Sequence, residues 1–84
     1  MNQPIKKIRV GQVACAIWKN ETVVNGKSVA LLKASVERRY KDSSGDWKSS
    51  SSFGRNEILL AIQCLQKAFD AVVELEQQEN KESQ

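Results

Sequence analysis

The sequence predicts a single α+β domain in which an antiparallel β-meander is followed by one long C-terminal helix. Two turn signals, Asn25-Gly26 and residues 42–46 (DSSGD), separate apolar segments in the first half and indicate hairpins. The second half lacks glycine and proline from Glu57 to about Gln78 and has helical periodicity. With 84 residues we expect one small domain, with its core over about 7–76 and a polar tail over 77–84.

The two turns set the expected register of the strands. Asn25 and Gly26 both tolerate the positive φ of a type I′ turn, so paired residue numbers should sum to 51. Closing the second turn around Ser44-Gly45 makes paired numbers sum to 89 and places Phe53 on the apolar face that Val36 and Cys15 share. The expected strands lie roughly at 8–19, 28–41 and 46–53, and a bend at Gly11 would divide the first strand and give four.

The helix is expected from Glu57, with Asn56 as its N-cap. Its apolar residues span an arc of roughly 220°, about twice the usual stripe of a surface helix, so a small sheet covers only part of it. We expect the sheet to cover the side of Ile58, Ile62, Leu65, Phe69 and Val72. A second copy of the chain would then cover a dimer interface made of Leu60, Cys64, Ala68, Ala71 and Leu75. The alternative is a strongly curled sheet that wraps the helix within one chain.

The composition argues against an enzyme and against a cofactor. The chain has no histidine, which removes the usual general base and most zinc and haem sites. Cys15 and Cys64 form no CxxC motif and lie in apolar segments, which indicates buried free thiols rather than a disulfide. No phosphate-binding glycine loop, membrane-spanning segment or signal peptide is recognisable, so we expect a cytoplasmic protein.

The charge distribution suggests a binding surface for a polyanion. Residues 1–55 carry a net charge of +7 and residues 56–84 a net charge of −4. The sheet face turned away from the helix should carry small, hydroxylic and basic side chains together with one large aromatic ring. Basic side chains neutralise phosphates and aromatic rings stack on unpaired bases. The predicted function is therefore binding of single-stranded DNA or RNA, with these residues: Trp18 for stacking, Lys33, Arg39, Lys41 and Lys48 for phosphates, and Arg55 at the flank.

Several of these residues also have a purely structural interpretation. Trp18 could pack on the stem of Lys33 or on a partner chain, and Trp47 is expected on the helix side at the edge of the core. Arg38 is expected on the helix side, paired with a helix acid. The alternative function is a protein-interaction module that uses the broad apolar helix face or the sheet edges.

Two resemblances complement these patterns. The stretches IRVGQVACAIWKNE and VERRYKDSSGDWKSSSSFGRNEILL resemble a group of small bacterial proteins, mostly from planctomycetes, over residues 5–75. The shared positions are Ile17, Trp18, Asn20, Glu21, Tyr40, Lys41, Asp42, Trp47 and Ser51 to Arg55. This resemblance implies a bacterial origin and no particular activity.

The second resemblance concerns architecture. A curved antiparallel sheet followed by one long dimerising helix is similar to the single-stranded-DNA-binding domains of the transcriptional-coactivator, Whirly and Pur-type group. Those domains have four strands before the helix and bind nucleic acid on the sheet. The resemblance implies a nucleic-acid site on the sheet and a homodimer formed through the helix, while a diagnostic motif of that group is missing here.

Overall fold

The protein is a four-stranded antiparallel sheet with one helix packed on one of its faces. The computed structural model describes the backbone of residues 3–82 and the side chains of residues 3–78. The elements follow in the order β1 (Lys6–Val10), β2 (Val13–Val24), β3 (Lys27–Lys41), β4 (Trp47–Ser50) and α1 (Arg55–Glu82). The strands are neighbours in sequence order, so the sheet is a meander, and the predicted α+β class is confirmed.

The fourth strand arises because the predicted first strand is divided at Gly11. Val10 pairs with Val13, and Gly11-Gln12 forms the turn between β1 and β2. Gly11 has φ +59°, whereas Gln12 does not have a positive φ, which is the pattern of a type II′ turn. Lys6–Val10 therefore forms a separate strand on the outer side of β2.

The register of the β2–β3 hairpin is the one predicted. Asn25 and Gly26 have φ values of 52° and 76°, and Val24 pairs with Lys27, so paired numbers sum to 51. The hairpin is longer than its neighbours, because β1 reaches only to the pair Lys6–Ile17 and β4 pairs only with Arg38–Lys41. Its distal part is therefore a two-stranded arm, and the molecule has extents of 51 × 25 × 18 Å.

The register predicted for β3 and β4 is wrong by one residue. Arg38 pairs with Ser50 and Lys41 with Trp47, so paired numbers sum to 88 rather than 89. The cause is a three-residue loop: the Gly45 amide donates to the Asp42 carbonyl at 3.0 Å, and the Asp42 amide donates to the Asp46 carbonyl at 2.9 Å. Gly45 has φ +86°, as expected for a type I turn followed by a left-handed residue. The slip moves every β4 side chain to the opposite face.

The Asp42 side chain stabilises this loop. Its Oδ1 accepts hydrogen bonds from the amides of Ser44 at 2.9 Å and Asp46 at 3.0 Å, and its Oδ2 lies 3.3 Å from Lys48 Nζ. The Asp46 hydrogen bond is the main reason why the pKa of Asp42 is lowered from its ordinary value of 3.8, and Lys48, Ser44 and Gly45 add to it.

The helix begins two residues earlier than the predicted N-cap implies, at Arg55 rather than Glu57. The Gly54 carbonyl accepts hydrogen bonds from the amides of Glu57 and Ile58, and Glu57 Oε1 accepts one from the Gly54 amide at 3.0 Å. Gly54, not Asn56, is therefore the capping residue, and Glu57 supplies the side-chain half of a capping box. The helix continues to Glu82, beyond its expected end near Gln78, and Ser83 and Gln84 of the predicted tail lie outside the described residues.

The core lies between β2 and the small side chains of the helix. The buried residues are Val13, Cys15 and Ile17 of the sheet and Ala61, Cys64, Ala68 and Ala71 of the helix. Small side chains let the helix backbone approach the sheet closely, and larger groups close the edges of the layer: Ile8, Val10, Val36, Phe53, Leu60 and Val72.

The helix faces were therefore predicted the wrong way round. Cys64, Ala68 and Ala71 are 0%, 1% and 6% exposed within one chain, so the predicted dimer interface of Leu60, Cys64, Ala68, Ala71 and Leu75 is the side that meets the sheet. Within that interface, Leu60 packs against the core cluster and Leu75 is half-buried. Of the side expected under the sheet, Val72 does pack against the core, whereas Ile58, Ile62, Leu65 and Phe69 are between 41% and 63% accessible.

Both cysteines are free and buried in this core. Cys64 Sγ lies 3.6 Å from the carbonyl oxygen of Ile8 and 4.0 Å from that of Val13. Burial, followed by the neighbouring Cys64 thiol, raises the pKa of Cys15 to about 12. Thiols in this environment are packing groups and weak hydrogen-bond donors.

Candidate nucleic-acid interface

The sheet surface turned away from α1 is called the open face. Side chains alternate between the faces along each strand, so the pairing assigns these residues to the open face: Lys7, Arg9, Ala14, Ala16, Trp18, Asn20, Thr22, Val24, Lys27, Val29, Leu31, Lys33, Ser35, Glu37, Arg39, Lys41, Trp47 and Ser49. Within the described strands this set holds six basic residues and one acidic residue. The open face is therefore the basic surface, and the helix layer contains most of the acids.

A shallow groove of about 450 Å³ crosses the middle of the open face. Its floor is made of small residues because Ala14 and Ala16 lie on the open-face side of β2, next to Ser35. Trp18 lines one end of the groove, and its indole Nε1–H donates to Ser35 Oγ at 3.0 Å. This hydrogen bond across the hairpin holds the ring in place and occupies its only polar atom.

A second hollow, of about 290 Å³, lies between Arg9, Arg39 and Trp47. Arg9 and Arg39 also line the first groove, so the two hollows are neighbours. Trp47 is 57% exposed, and Lys41 Nζ lies 5.4 Å from the centre of its ring. This end of the face brings an accessible aromatic ring together with three positive charges.

The two tryptophans mark the two ends of one basic track. Trp18 pairs with Lys33 and Trp47 with Lys41, eight residues further along β3. At about 3.3 Å per residue the two rows are separated by roughly 26 Å. Arg39 lies between them, and Glu37 is the acidic residue in the same stretch of β3.

The structure separates the predicted binding residues into two groups. Trp18, Lys33, Arg39 and Lys41 all lie on the open face. Lys48 does not: it is opposite Tyr40 on the helix side and makes an ion pair with Asp42. Its misplacement follows directly from the one-residue slip in the register of β4.

Arg55 also lies away from the open face, because it is the first residue of α1 and belongs to the helix layer. The prediction for Arg38 is confirmed. Its Nε lies 3.9 Å from Glu57 Oε1, and it donates to the Ser52 carbonyl at 3.0 Å. The guanidinium also sits 4.9 Å from the centre of the Tyr40 ring, so Arg38 joins the sheet to the start of the helix.

Lys7 and Arg9 are open-face residues that were not predicted, and Trp47 lies on the open face rather than on the expected helix side. Lys7 and Arg9 become visible once Gly11-Gln12 is taken as a two-residue turn with glycine at its first central position. Trp47 moves to the open face when Asp42 and Gly45 are given the first and fourth positions of a type I turn. Both signals were present in the sequence as turn chemistry.

Comparisons with known proteins give no match that bears on the function of this surface. No protein-family model matches the chain, and no curated protein and no solved structure is significantly similar to it. Among the side chains of residues 3–78, no three histidine, cysteine, aspartate or glutamate groups are clustered as they would be around a metal ion. The helix of the described chain lacks the long apolar stretch that a bilayer-spanning segment needs.

Proposed function

We propose that the protein binds single-stranded DNA or RNA across the open face, without strong sequence preference. The observation that carries this proposal is the arrangement of Trp18 and Trp47 at the two ends of a basic track with a floor of small residues. Unpaired bases offer faces for aromatic rings to stack on, and the sugar–phosphate chain between them offers negative charge.

The chemical roles follow from exposure and charge. Trp47 has the more accessible ring and is the principal stacking residue, while Trp18 forms the second platform at the far end of the groove. Arg9 and Arg39 lie beside both hollows and are placed to contact phosphates. The alanine floor, Ala14 and Ala16, leaves room for the nucleic acid. Because alanine side chains cannot hydrogen-bond to base edges, this floor favours binding of any base sequence.

The test is a titration of labelled single-stranded oligonucleotides by fluorescence anisotropy at several salt concentrations. If Lys7, Arg9, Lys33, Arg39 and Lys41 each neutralise one phosphate, log K falls with log salt with a slope of about −3.5. A fourfold rise in salt then weakens binding roughly 100-fold. A duplex of the same sequence should bind more weakly, because its bases are not free to stack.

Two neighbouring lysines provide a matched pair of variants. Lys41→Ala should lower the salt slope by about 0.7, because one phosphate contact is lost. Lys48→Ala removes the same charge from the opposite face of the adjacent strand and should leave the slope unchanged. Trp47→Ala should weaken binding about 5- to 150-fold, which corresponds to the loss of one stacked base.

The outcomes separate this function from a protein-interaction module. If Lys41→Ala and Lys48→Ala lower the salt slope equally, binding depends only on net charge. The open face would then be rejected as the binding site. Absence of binding at low salt would reject the function itself. An apolar protein contact would depend only weakly on salt.

A further inference from the structure

The helix presents an apolar surface to solvent on the flank next to the one that meets the sheet. These side chains, called the outer stripe, are Ile58, Leu59, Ile62, Leu65 and Phe69, and they are between 41% and 71% exposed. Ile58, Ile62, Leu65 and Phe69 fall within about 60° of one another around the helix axis. The outer stripe leaves roughly 500 Å² of apolar surface in water, as large as the largest patch of a typical monomer.

The apolar side chains along this flank form a pattern that reads similarly from either end of the helix. Residue numbers that sum to 131 have matching character: Ile58 with Val73, and Ile62 with Phe69. The centre of the pattern lies between Leu65 and Gln66. A helix flank whose side chains read similarly in both directions is suited to a two-fold interface. In such an interface each residue lies beside the residue of the other copy with which its number sums to 131.

The charges at the two ends of the flank follow the same symmetry. Arg55 and Glu76 also sum to 131, and both are exposed. In an antiparallel pair of helices, Arg55 of one copy lies beside Glu76 of the other, and the same contact occurs twice. A parallel pair would bring two Arg55 side chains together, which is unfavourable.

We infer that the outer stripe is the contact surface of a homodimer in which two α1 helices pack antiparallel about an axis between Leu65 and Gln66. Two copies would bury roughly 1,000 Å² in total, which is below the range of stable interfaces and in the range of weak, transient ones. The dimer is therefore expected to be weak and to dissociate on dilution. It does not depend on nucleic-acid binding, because the outer stripe and the open face belong to different layers of the molecule.

Sedimentation equilibrium over a range of concentrations tests the dimer. We expect twice the chain mass of 9.4 kDa at high concentration, with dissociation on dilution. Phe69→Asp should leave a folded monomer, since Phe69 is 63% exposed and its replacement leaves the core intact. The circular dichroism of the variant checks that it folds.

A charge exchange tests the antiparallel arrangement. Arg55→Glu and Glu76→Arg should each weaken the dimer about tenfold, and the double variant should restore it, because the opposite charges then meet again. Glu74→Arg makes the same charge change on the polar side of the helix and should have no effect. Failure of the double variant to recover would overturn the proposed register.

A cysteine pair tests the position of the axis. Leu65→Cys should crosslink to its counterpart under diamide, because the two positions are offset by only about 1.5 Å along the helix direction. Leu59→Cys is the control, since its two copies would be about 20 Å apart. The native Cys15 and Cys64 are buried and do not compete.

A chain that stays monomeric at all concentrations would overturn the proposal, and this is also the result expected if another polypeptide covers the outer stripe. A dimer that is insensitive to Phe69→Asp would place the interface elsewhere and would overturn it as well.

Discussion

Ile17 and Ile62 allow the same substitution to be compared in two environments. Ile17 is 0% exposed in the centre of β2, whereas Ile62 is 58% exposed on the outer stripe. Replacing isoleucine by alanine removes three carbon groups, worth about 0.8 kcal/mol each when fully buried, or about 2.4 kcal/mol. A residual cavity adds to this value, and comparable substitutions cost about 2–5 kcal/mol. We therefore expect Ile17→Ala to cost about 3–4 kcal/mol.

The consequence for this chain is large because its total stability is small. At about 0.05–0.15 kcal/mol per residue, a domain of this length has roughly 4–13 kcal/mol of unfolding free energy. Ile62→Ala should cost less than about 1 kcal/mol at protein concentrations where the chain is monomeric. Urea unfolding followed by circular dichroism at low protein concentration measures both values.

A milder variant keeps this comparison measurable if Ile17→Ala does not fold. Ile17→Val should cost about 0.5–1.5 kcal/mol and retain the fold. Equal losses for Ile17→Ala and Ile62→Ala would refute the argument that the small-residue side of α1 and the β2 apolar face form the core.

Three further predictions concern the second turn and the thiols. The pKa of Asp42 is lower in the folded chain than its ordinary value of 3.8, so its contribution to stability is complete above that value and is lost as the pH falls through the lowered one. The difference in stability between wild type and Asp42→Asn should therefore shrink in acid, as followed by thermal unfolding against pH. Gly45→Ala should cost about 1 kcal/mol in urea unfolding, because φ is +86° and a Cβ would meet nothing within 4 Å, so that only backbone strain is added. A thiol reagent at pH 8 should label Cys15 and Cys64 only after unfolding, since the pKa of Cys15 is raised to about 12 and both thiols are buried. Fast labelling of the native chain would contradict the buried core.

The sequence predicts the sheet best where the turn chemistry has one solution. Asn25-Gly26 specifies a two-residue turn, and the whole register of β2 and β3 follows from it. The Asp42–Asp46 segment allows loops of two or three residues. The choice between them depends on the left-handed Gly45 and on the Asp42 side chain, and it decides the face of both Trp47 and Lys48.

The helix shows a different limit of sequence reasoning. Periodicity defines the apolar arc, but it does not determine which half of a broad arc meets the sheet. Here the half with Ala61, Cys64, Ala68 and Ala71 packs on β2, because small side chains allow the closest approach of helix and sheet. Large residues such as Phe69 were expected inside because of their hydrophobicity, yet the close approach leaves no space for them.

The candidate site depends on these same points of geometry. Trp18, Lys33, Arg39 and Lys41 were placed correctly because the first hairpin register was correct. Pairings with β1 and β4 determine the remainder of the open face. The first rests on the turn at Gly11, which the sequence left as one of two possibilities, and the second on the Asp42–Asp46 loop, whose length was predicted wrongly.

The most direct test of the central proposal is an NMR titration with a single-stranded oligonucleotide. The chain has two tryptophans, so its two indole N–H signals report separately on the two ends of the open face. We predict that the signals of Trp18 and Trp47 both shift on binding, together with the backbone signals of Arg39, while those of the outer stripe stay in place. Binding that leaves both indole signals unchanged and shifts the signals of Ile62 and Phe69 would contradict the open face as the nucleic-acid interface.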